Sequence, residues 1–469
     1  MSCERCALVI VSIAAPVLKW EPDASNGSAN LGYIMALSLY WTKANVGARM
    51  AEPEIWSFFS GGMGLDLGLE QAGFTTTLAN EIDPVCCETI RGNRPKIDLI
   101  EGDVATLEAD ELRKKRGNPD EVFLMVGGPP CQSFSTGGKR AALSDPRGNL
   151  IYVYLRLISR VQPRYFVLEN VANLTTAALR HRPIEDRPGK HWSLKKYQSH
   201  AIQEDGAEPM QPDELSGSAI RQLFADLSEL GYHVNFGVVS AADYGAPQKR
   251  MRFIMIGARN GKAPELPCPT YGVESQSRMA LRTVRDAIFD LREKPGEHSE
   301  YTPSVARYFD LIPPGGNWRH LPDELKREAM GKSYDAGGGK TGFYRRLAWD
   351  EPAPTITGRS NRKGTAMCHP EFTRPLSVRE CARLQGFPDS WEFSGSMASK
   401  YLQIGNAVPV PLGRAVAEAI AQHASQAHKV SQTTFDLESM LSKAVTRLRA
   451  TARNKTSYRA ENATGLLFG

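Results

Sequence analysis

The sequence predicts an α/β protein: a mostly parallel sheet with helices on both faces, and a smaller irregular domain inserted late in the chain. From Glu54 onward, short apolar runs typical of strands alternate with helical segments, which is the pattern of βαβ units. This alternation stops between about Arg259 and Pro375, where Pro, Gly and Arg are frequent and turn signals replace periodic segments.

Seven apolar runs are predicted to form the strands. Before the sixth run, the spacing of Ile220, Leu223, Phe224, Leu227 and Leu230 predicts a half-buried helix. Further helices are predicted at Ser377–Gln385 and Gly413–Ala424. The predicted strands are Ile55–Phe59, Thr75–Ala79, Ile97–Ile100, Val122–Val126, Tyr165–Leu168, His233–Val239 and Phe253–Ile256.

These patterns divide the chain into five predicted parts. Residues 1–50 are expected to be a poorly ordered extension, and Met50 is a candidate start of the protein. A surface insertion is predicted at about Thr175–Ser216, and one amphipathic helix in the tail, built on Phe435, Leu437, Met440, Leu441, Val445 and Leu448, with disorder after it. The predicted parts are the extension 1–50, the sheet domain 51–258, the irregular domain 259–375, a segment returning to the sheet domain at 376–425, and a basic tail at 426–469.

Composition excludes several classes of protein. The net charge is +5, and residues Lys429–Gly469 alone carry seven Lys/Arg against three Asp/Glu, so the rest of the chain is nearly neutral. The eight cysteines show no regular framework, which favours a reducing cytoplasm, and the single Cys3–Cys6 pair is a weak metal signal, so no metal is expected. The sequence contains no apolar stretch long enough to span a membrane, and Ala7–Leu18 lacks the basic flank of a secretory signal.

Polar and glycine residues follow the first three predicted strands. Phe59-Ser60-Gly61 and Gly64 lie between a strand and a helix, where glycines allow a ligand close to the backbone. Glu81 comes about 20 positions later, a spacing suited to binding ribose hydroxyls, and Asp103 follows the third strand. Together these residues predict a nucleoside-binding edge of the sheet, although a tight turn alone would explain the glycines equally well.

A second group follows the fourth and fifth strands. Cys131 lies in a Gly/Pro-rich loop after Gly127, which favours a nucleophilic thiolate over the inert, buried cysteine that is the usual alternative. Glu169 can act as a general acid or simply cap a helix. Arg250 and Arg252 precede the last strand and can bind a carbonyl oxygen or a phosphate, or form surface ion pairs.

These motifs, in this order, resemble those of the DNA (cytosine-5) methyltransferase family, in its prokaryotic restriction-modification form. The resemblance extends from about Ile55 to Ala424. The motifs that carry it are Phe59-Ser60-Gly61, Asn80-Glu81, Pro129-Pro130-Cys131-Gln132, Glu169-Asn170-Val171, Gln248-x-Arg250-x-Arg252, Arg379-Glu380 with Arg383-Leu384-Gln385-Gly386-Phe387-Pro388, and Gln403-Ile404-Gly405-Asn406-Ala407-Val408-Pro409.

The resemblance implies a Rossmann-like, S-adenosylmethionine-dependent methyltransferase domain and a target-recognition domain at 259–375. S-adenosyl-L-methionine would be the co-substrate. Met63-Gly64 stands where the family usually has two glycines, and Ile82 stands where an aromatic residue often lies under the adenine. The residues implied to hold the co-substrate are Phe59, Gly61, Gly64, Glu81, Ile82, Asp103, Asn406 and Ala407.

The resemblance also implies a mechanism. Cys131 would attack C6 of a cytosine flipped out of duplex DNA, and C5 would then take the methyl group. Glu169 would contact N3 and N4, Arg252 would hold the O2 edge, and Arg250 would support the Cys131 loop or a phosphate. Residues implied to contact DNA are Gln132, Ser135, Lys139 and Arg140, in a loop expected to close over the base.

The resemblance implies a cytoplasmic, monomeric enzyme, either paired with a restriction endonuclease that acts separately or without such a partner. Two alternatives remain open: a tRNA cytosine-5 methyltransferase on the same scaffold, and an inactive DNA-binding regulator. The Gly337–Tyr344 and Thr357–Thr365 loops of the recognition domain combine residues suited to phosphates and base edges, although simple solvation explains each basic residue singly.

Overall fold

The structure is a computed structural model that describes residues 53–117, 119–130, 150–180, 210–275, 277, 279–335, 342–359, 362, 364–426 and 436–464, with side chains up to 450. The N-terminal extension 1–50 and most of the predicted insertion lie outside the described residues.

All seven strands predicted from the sequence are confirmed. The strands of the described residues are β1 Glu54–Phe58, β2 Thr75–Glu81, β3 Asp98–Glu101, β4 Leu124–Gly127, β5 Tyr165–Val171, β6 His233–Ser240, β8 Met251–Ala258, and a separate short pair, β7 Gln248–Lys249 with β9 Ala353–Pro354. Apart from that short pair, they form a seven-stranded sheet with the order β3-β2-β1-β4-β5-β8-β6. The pairs among β1 to β5 are parallel, whereas β8 runs antiparallel to both β5 and β6.

Helices cover both faces of this sheet. The helices predicted around Ile220, Ser377 and Gly413 are present, and short 3₁₀ turns follow β5 at Ala172–Thr176 and β6 at Ala241–Tyr244. The α-helices of the described residues are α1 Gly64–Gln71, α2 Pro84–Asn93, α3 Ala109–Lys115, α4 Leu150–Val161, α5 Ser218–Glu229, α6 Val284–Ile288, α7 Pro303–Phe309, α8 Asp323–Met330, α9 Val378–Leu384, α10 Met397–Asn406, α11 Val410–Gln426 and α12 Leu437–Thr464.

The alternation of side chains along the strands produces a hydrophobic core on each face of the sheet. On one face, Trp56 and Phe58 of β1 pack with helices α4 and α5. On the other face, Ile55 packs with α1 and with Leu412 and Ile420 of α11. Because α11 comes from the far end of the sequence, the return segment completes the core that begins at β1.

Helices α1 and α11 approach each other backbone to backbone. A Cβ atom added at Gly68 would lie 2.3 Å from the carbonyl oxygen of Val410, and one added at Gly413 would lie 2.6 Å from the carbonyl oxygen of Leu65. Real Cβ atoms do not tolerate such distances, so this contact requires glycine.

The predicted recognition domain has a small core of its own, in which Tyr301 stacks on Phe309 with ring centroids 4.5 Å apart and Tyr344 packs against both Phe309 and Tyr308. Its flanking parts, represented by Val284 and Ile356, pack instead with helices α9 and α10 of the return segment.

The C-terminal tail forms helix α12, which packs through Met440, Leu441 and Ala444 into the same core as α4 and α5. The predicted amphipathic helix is therefore present. The expected disorder after Leu448 is wrong as far as Thr464, because the helix continues to that residue through residues with high helix propensity such as Ala, Arg and Lys. Residues 465–469 lie outside the described residues.

A buried carboxyl group, that of Asp66, lies in the first turn of α1 and is 2% exposed. Burial raises the pKa of this carboxyl to about 7, against the lowering effect of hydrogen bonding by Ser57. One of its oxygens, Oδ1, has no hydrogen-bond partner. Asp66 therefore destabilises the fold once it is ionised.

We expect Asp66→Asn to remove this pH dependence. Because the folded pKa is raised from the ordinary value of 3.8 to about 7, wild-type stability falls as the pH rises through this window. Relative to wild type, the variant should gain up to about 4 kcal/mol between the two ends of the window. Urea unfolding at intervals between these limits measures the difference.

The exposed Asp120 provides the matched control, Asp120→Asn, which makes the same substitution at a carboxyl group that is not buried. A constant difference between Asp66→Asn and wild type across the window would show that Asp66 is not protonated in the folded protein.

Candidate active site

The loops after β1, β2 and β3 are joined by hydrogen bonds that involve the residues predicted to bind a nucleoside. The Gly61 N–H donates to the Glu81 carboxylate at 2.7 Å, and the Gly102 N–H donates to the Glu81 carbonyl oxygen at 2.9 Å. The Asn80 side chain donates to the carbonyl oxygens of Ile100 and Gly102. These bonds bring Gly61, Glu81 and the turn at Asp103 to one edge of the sheet.

The first of these loops adopts an unusual backbone conformation. Phe59, Gly61 and Met63 have φ values of 57°, 51° and 60°, in the left-handed region that disfavours residues with a side chain. Met63, which replaces a usual family glycine, is nevertheless buried and packs with Leu67 and Phe387. Such strain persists only where the surrounding packing holds it, and it is concentrated at functional sites.

This edge leaves room for a nucleoside. Cβ atoms added at Gly61 or Gly102 would meet nothing within 4 Å, so both loops face open space. Ile82, directly after Glu81, is 63% exposed, which is unusual for a large apolar side chain beside a carboxylate. An exposed apolar side chain next to a carboxylate fits an adenosine group.

The return segment forms the other wall of this space. A Cβ atom added at Gly64 would lie 2.2 Å from the Val408 carbonyl oxygen and 3.1 Å from the Ala407 Cβ, so Gly64 allows the loop and the return segment to touch. Asn406 is exposed at the end of α10. Thr89 of α2 donates to the buried Gln403 side chain at 2.7 Å, which fixes α10 beside the nucleoside-binding edge.

Glu169 and Arg252 form an ion pair at the end of β5. The Arg252 Nε lies 2.6 Å from Glu169 Oε1, and both side chains are nearly buried, with 12% and 11% exposed. Burial raises the pKa of the Glu169 carboxyl, while Arg252 and Arg250 act to lower it. The pair therefore presents a partly desolvated carboxyl group that can take up or share a proton.

Arg250 is fully buried and connects three parts of the chain. Its guanidinium donates to the carbonyl oxygens of Ile356 and Gly405, each at 2.7 Å. Gln248 similarly accepts from the Ile356 N–H and donates to the Leu384 carbonyl oxygen. These bonds tie β7 and β8 to the end of the recognition segment and to the return segment; a phosphate contact by Arg250 stays a prediction.

The chain leading to Cys131 is held by Asn170. The buried Asn170 side chain donates to the Pro129 carbonyl oxygen at 3.1 Å, and a Cβ atom added at Gly128 would lie 3.2 Å from Glu169 Oε2. The Gly128-Pro129-Pro130 segment therefore runs beside the Glu169–Arg252 pair. The residues predicted to attack the base and to contact DNA, Cys131, Gln132, Ser135, Lys139 and Arg140, lie outside the described residues.

Sequence analysis missed the positioning contacts of Asn170 and Gln403 and the burial of the Asp66 carboxyl group. Asn170 and Gln403 lie inside the quoted motifs, so their position beside Glu169 and Asn406 was the available signal. Asp66 carried no signal, because a carboxylate in the first turn of a helix is ordinarily a solvated residue that favours the helix dipole.

The family model for the C-5 cytosine-specific DNA methylase matches residues 54–182 and 213–422, most of the described sheet, recognition and return segments. The chain belongs to the C-5 cytosine-specific DNA methylase family. The unmatched stretch 183–212 of this methylase falls inside the insertion predicted at about Thr175–Ser216.

Curated relatives match over most of their length. The methylase is 37% identical to the Type II methyltransferase M.Eco47II of Escherichia coli, over 78% of this chain and 78% of the relative. It is 35% identical to M.Sau96I of Staphylococcus aureus, over 79% and 76%. It is 38% identical to M.PspPI of Psychrobacter sp. (strain TA137), over 79% of each chain.

A solved structure supports the fold. It is described as a DNA modification methyltransferase encoded within a prophage of E. coli, and it is 24% identical to the methylase, with a TM-score of 0.51 over 79% of this chain and 98% of that chain. The Rossmann-like methyltransferase fold expected from the sequence is confirmed. Among the described residues of this methylase, no helix is long and apolar enough to cross a membrane.

We expect Asn170→Ala to reduce turnover while leaving co-substrate affinity nearly unchanged. The variant loses the bond to the Pro129 carbonyl oxygen, two residues before Cys131, and this bond does not involve the nucleoside-binding edge. Misplacing Cys131, the nucleophile predicted from the sequence, should lower kcat by roughly 10- to 100-fold. Steady-state methyl-transfer kinetics and calorimetric titration of S-adenosylmethionine measure the two effects.

Asn173→Ala is the matched control, because Asn173 is exposed in the 3₁₀ turn that follows. Equal kcat values for Asn170→Ala and Asn173→Ala would contradict a positioning role for Asn170.

Arg250→Lys should destabilise the protein by about 2–4 kcal/mol, because one ammonium group cannot reach both carbonyl oxygens and leaves a buried acceptor unsatisfied. Urea denaturation measures the loss. The exposed Arg156, which also donates to a carbonyl oxygen, that of Ala105, gives the control Arg156→Lys, and an equal loss in both variants would refute the argument.

Proposed function

We propose that this chain transfers a methyl group from S-adenosylmethionine to C5 of a cytosine flipped out of duplex DNA, through a covalent bond between Cys131 and C6. The observation that carries the proposal is the buried Glu169–Arg252 ion pair beside the Gly128-Pro129-Pro130 segment that leads directly to Cys131. Family membership supplies the reaction class.

Cytosine C5 is a poor nucleophile, so the base must be activated before it can be methylated. Addition of the Cys131 thiolate to C6, with protonation at N3, would turn C5 into the nucleophilic carbon of an enamine. After C5 gains the methyl group, loss of the C5 proton to a base and elimination of the thiolate would restore the aromatic ring and the enzyme.

Glu169 and Arg252 are suited to bind the activated ring. Because burial raises the pKa of Glu169, its carboxyl can share a proton with N3 at the point where the thiolate adds. Arg252, already paired with Glu169 at 2.6 Å, would place its remaining N–H groups toward O2. A desolvated site strengthens both interactions.

S-adenosylmethionine, when bound, supplies an electrophilic sulfonium methyl group. Glu81 would bind its ribose, Ile82 its adenine face and Asp103 its adenine amino group. Phe59, Gly61, Gly64, Asn406 and Ala407 would surround its amino-acid end. The open space beside Gly61 and Gly102 and the exposed Ile82 support this arrangement.

The biological role follows from the relatives, which are named Type II methyltransferases. We propose that the protein is a cytoplasmic, monomeric modification enzyme of a restriction-modification system. Its methylation of a specific DNA sequence would protect that sequence from cleavage by a separate endonuclease. The recognition loops that include the exposed Arg359 and Arg362 would read this sequence.

Cys131→Ser should abolish methyl transfer, because an alcohol is not ionised at neutral pH and adds poorly to C6. Transfer of a labelled methyl group to duplex DNA measures the effect, and bisulfite sequencing of DNA from expressing cells identifies the modified cytosine. The control is Cys268→Ser, at an exposed cysteine, which should retain full activity.

Methylation by Cys131→Ser at the wild-type rate would overturn the proposed mechanism. Methyl transfer to tRNA but not to duplex DNA would favour the RNA methyltransferase, and DNA binding without any transfer would favour an inactive regulator.

A further inference from the structure

Helix α12 lies outside the part of the chain that the family model matches, which ends at residue 422. It is nevertheless docked on the catalytic domain. Met440, Leu441 and Ala444 are buried in the core, and Glu438 pairs with Arg221 of α5 at 2.8 Å. The helix therefore has a defined position on the protein.

The helix lies at the carboxyl ends of the strands, the edge of the sheet at which the candidate active site is found. Strands β5 and β6 both run antiparallel to β8, so their carboxyl ends lie at the same edge. Helix α12 contacts the turn Ala172–Thr176, which follows Glu169 at the end of β5, and Arg447 pairs with Asp243 in the turn after β6. The Asp243 carbonyl oxygen in turn accepts the N–H groups of Thr270 and Tyr271, at the start of the recognition segment.

The composition of α12 changes along its length. Its apolar repeat ends at Leu448, and the position seven residues later is Lys455. From Lys443 to Arg459 the helix contains six Lys/Arg and no Asp/Glu. A helix without an apolar stripe gains no stability from packing on a hydrophobic core. A run of positive charge instead attracts a polyanion such as nucleic acid.

The helix is also long enough to reach a duplex. The stretch from Arg447 to Thr464 rises about 25 Å at 1.5 Å per residue. The segment that leads to Cys131 leaves β4 at Gly127, at the carboxyl ends of the parallel strands. Duplex DNA must therefore lie across this edge of the sheet for Cys131 to reach a flipped base.

We propose that the basic half of α12 binds the phosphate backbone of the substrate DNA beside the recognition segment. It adds a sequence-independent contact to an enzyme whose remaining chain is nearly neutral. The contact strengthens DNA binding and its salt dependence, and takes no part in the chemical step.

The test compares two double variants of the full chain: Arg453→Gln/Lys455→Gln in α12, and Lys114→Gln/Lys115→Gln as the control. Lys114 and Lys115 are exposed at the end of α3, next to Arg116, which pairs with Glu54 and Asp98 at the first residues of β1 and β3. They lie at the opposite edge of the sheet. Both variants remove two charges, and the α12 variant keeps the buried residues Met440, Leu441 and Ala444.

DNA affinity is measured as a function of salt, together with kcat at saturating DNA. The α12 variant should bind several-fold more weakly at low salt, and the slope of log affinity against log salt should fall by up to about 2, or roughly 0.9 for each lost phosphate contact. Its kcat should equal that of wild type, whereas the control should match wild type in all measurements.

An unchanged slope in the α12 variant, or an equal fall in the control, would overturn the proposal, as would a loss of affinity for RNA alone. The inference rests on the proposed DNA substrate, but the experiment distinguishes a failure of the α12 contact from a failure of the proposed function. If the α12 variant methylates duplex DNA and its DNA affinity has the same salt dependence as that of wild type, the α12 contact is refuted and the enzyme assignment stands.

Discussion

The close approach of α1 and α11 is the contact on which the active site depends. Gly64, Gly68 and Gly413 allow backbone to meet backbone between residues that are more than 300 positions apart in sequence. The loop after β1 and the return segment thereby form two walls of one cleft. The strained conformation of Phe59 and Met63 persists because this packing holds it. A side chain at any of these glycines would separate the two walls.

Buried charge at the active edge serves chemistry and positioning more than stability. A buried ion pair such as Glu169–Arg252 gains little for the fold, because removing both groups from water costs about as much as their attraction returns. The same desolvation raises the pKa of Glu169 toward the range in which it can exchange a proton. Arg250, by contrast, donates hydrogen bonds to two backbone carbonyl oxygens and thereby fixes the strand that carries Arg252.

Strands such as β4 and β5 were predictable because they contain runs of apolar residues and are buried on both faces of the sheet. The antiparallel orientation of β8 was not predictable, because an apolar run has no direction. The residues of α12 after Leu448 have the composition of a disordered segment, but their helix propensity is high enough for the helix to continue to Thr464. The recognition segment has few periodic residues, so its small core around Phe309 and Tyr344 emerged only in three dimensions.

The family, the order of the strands along the chain and the residue types at each strand end could be predicted from the amino-acid sequence, because these are local properties of short motifs. The contacts that those residues make could be described only from the folded chain. The fold placed Glu81 against Gly61, Asn170 against Pro129 and α12 beside the recognition segment. These contacts join residues distant in sequence, and their distances depend on backbone packing that no local pattern of side chains encodes.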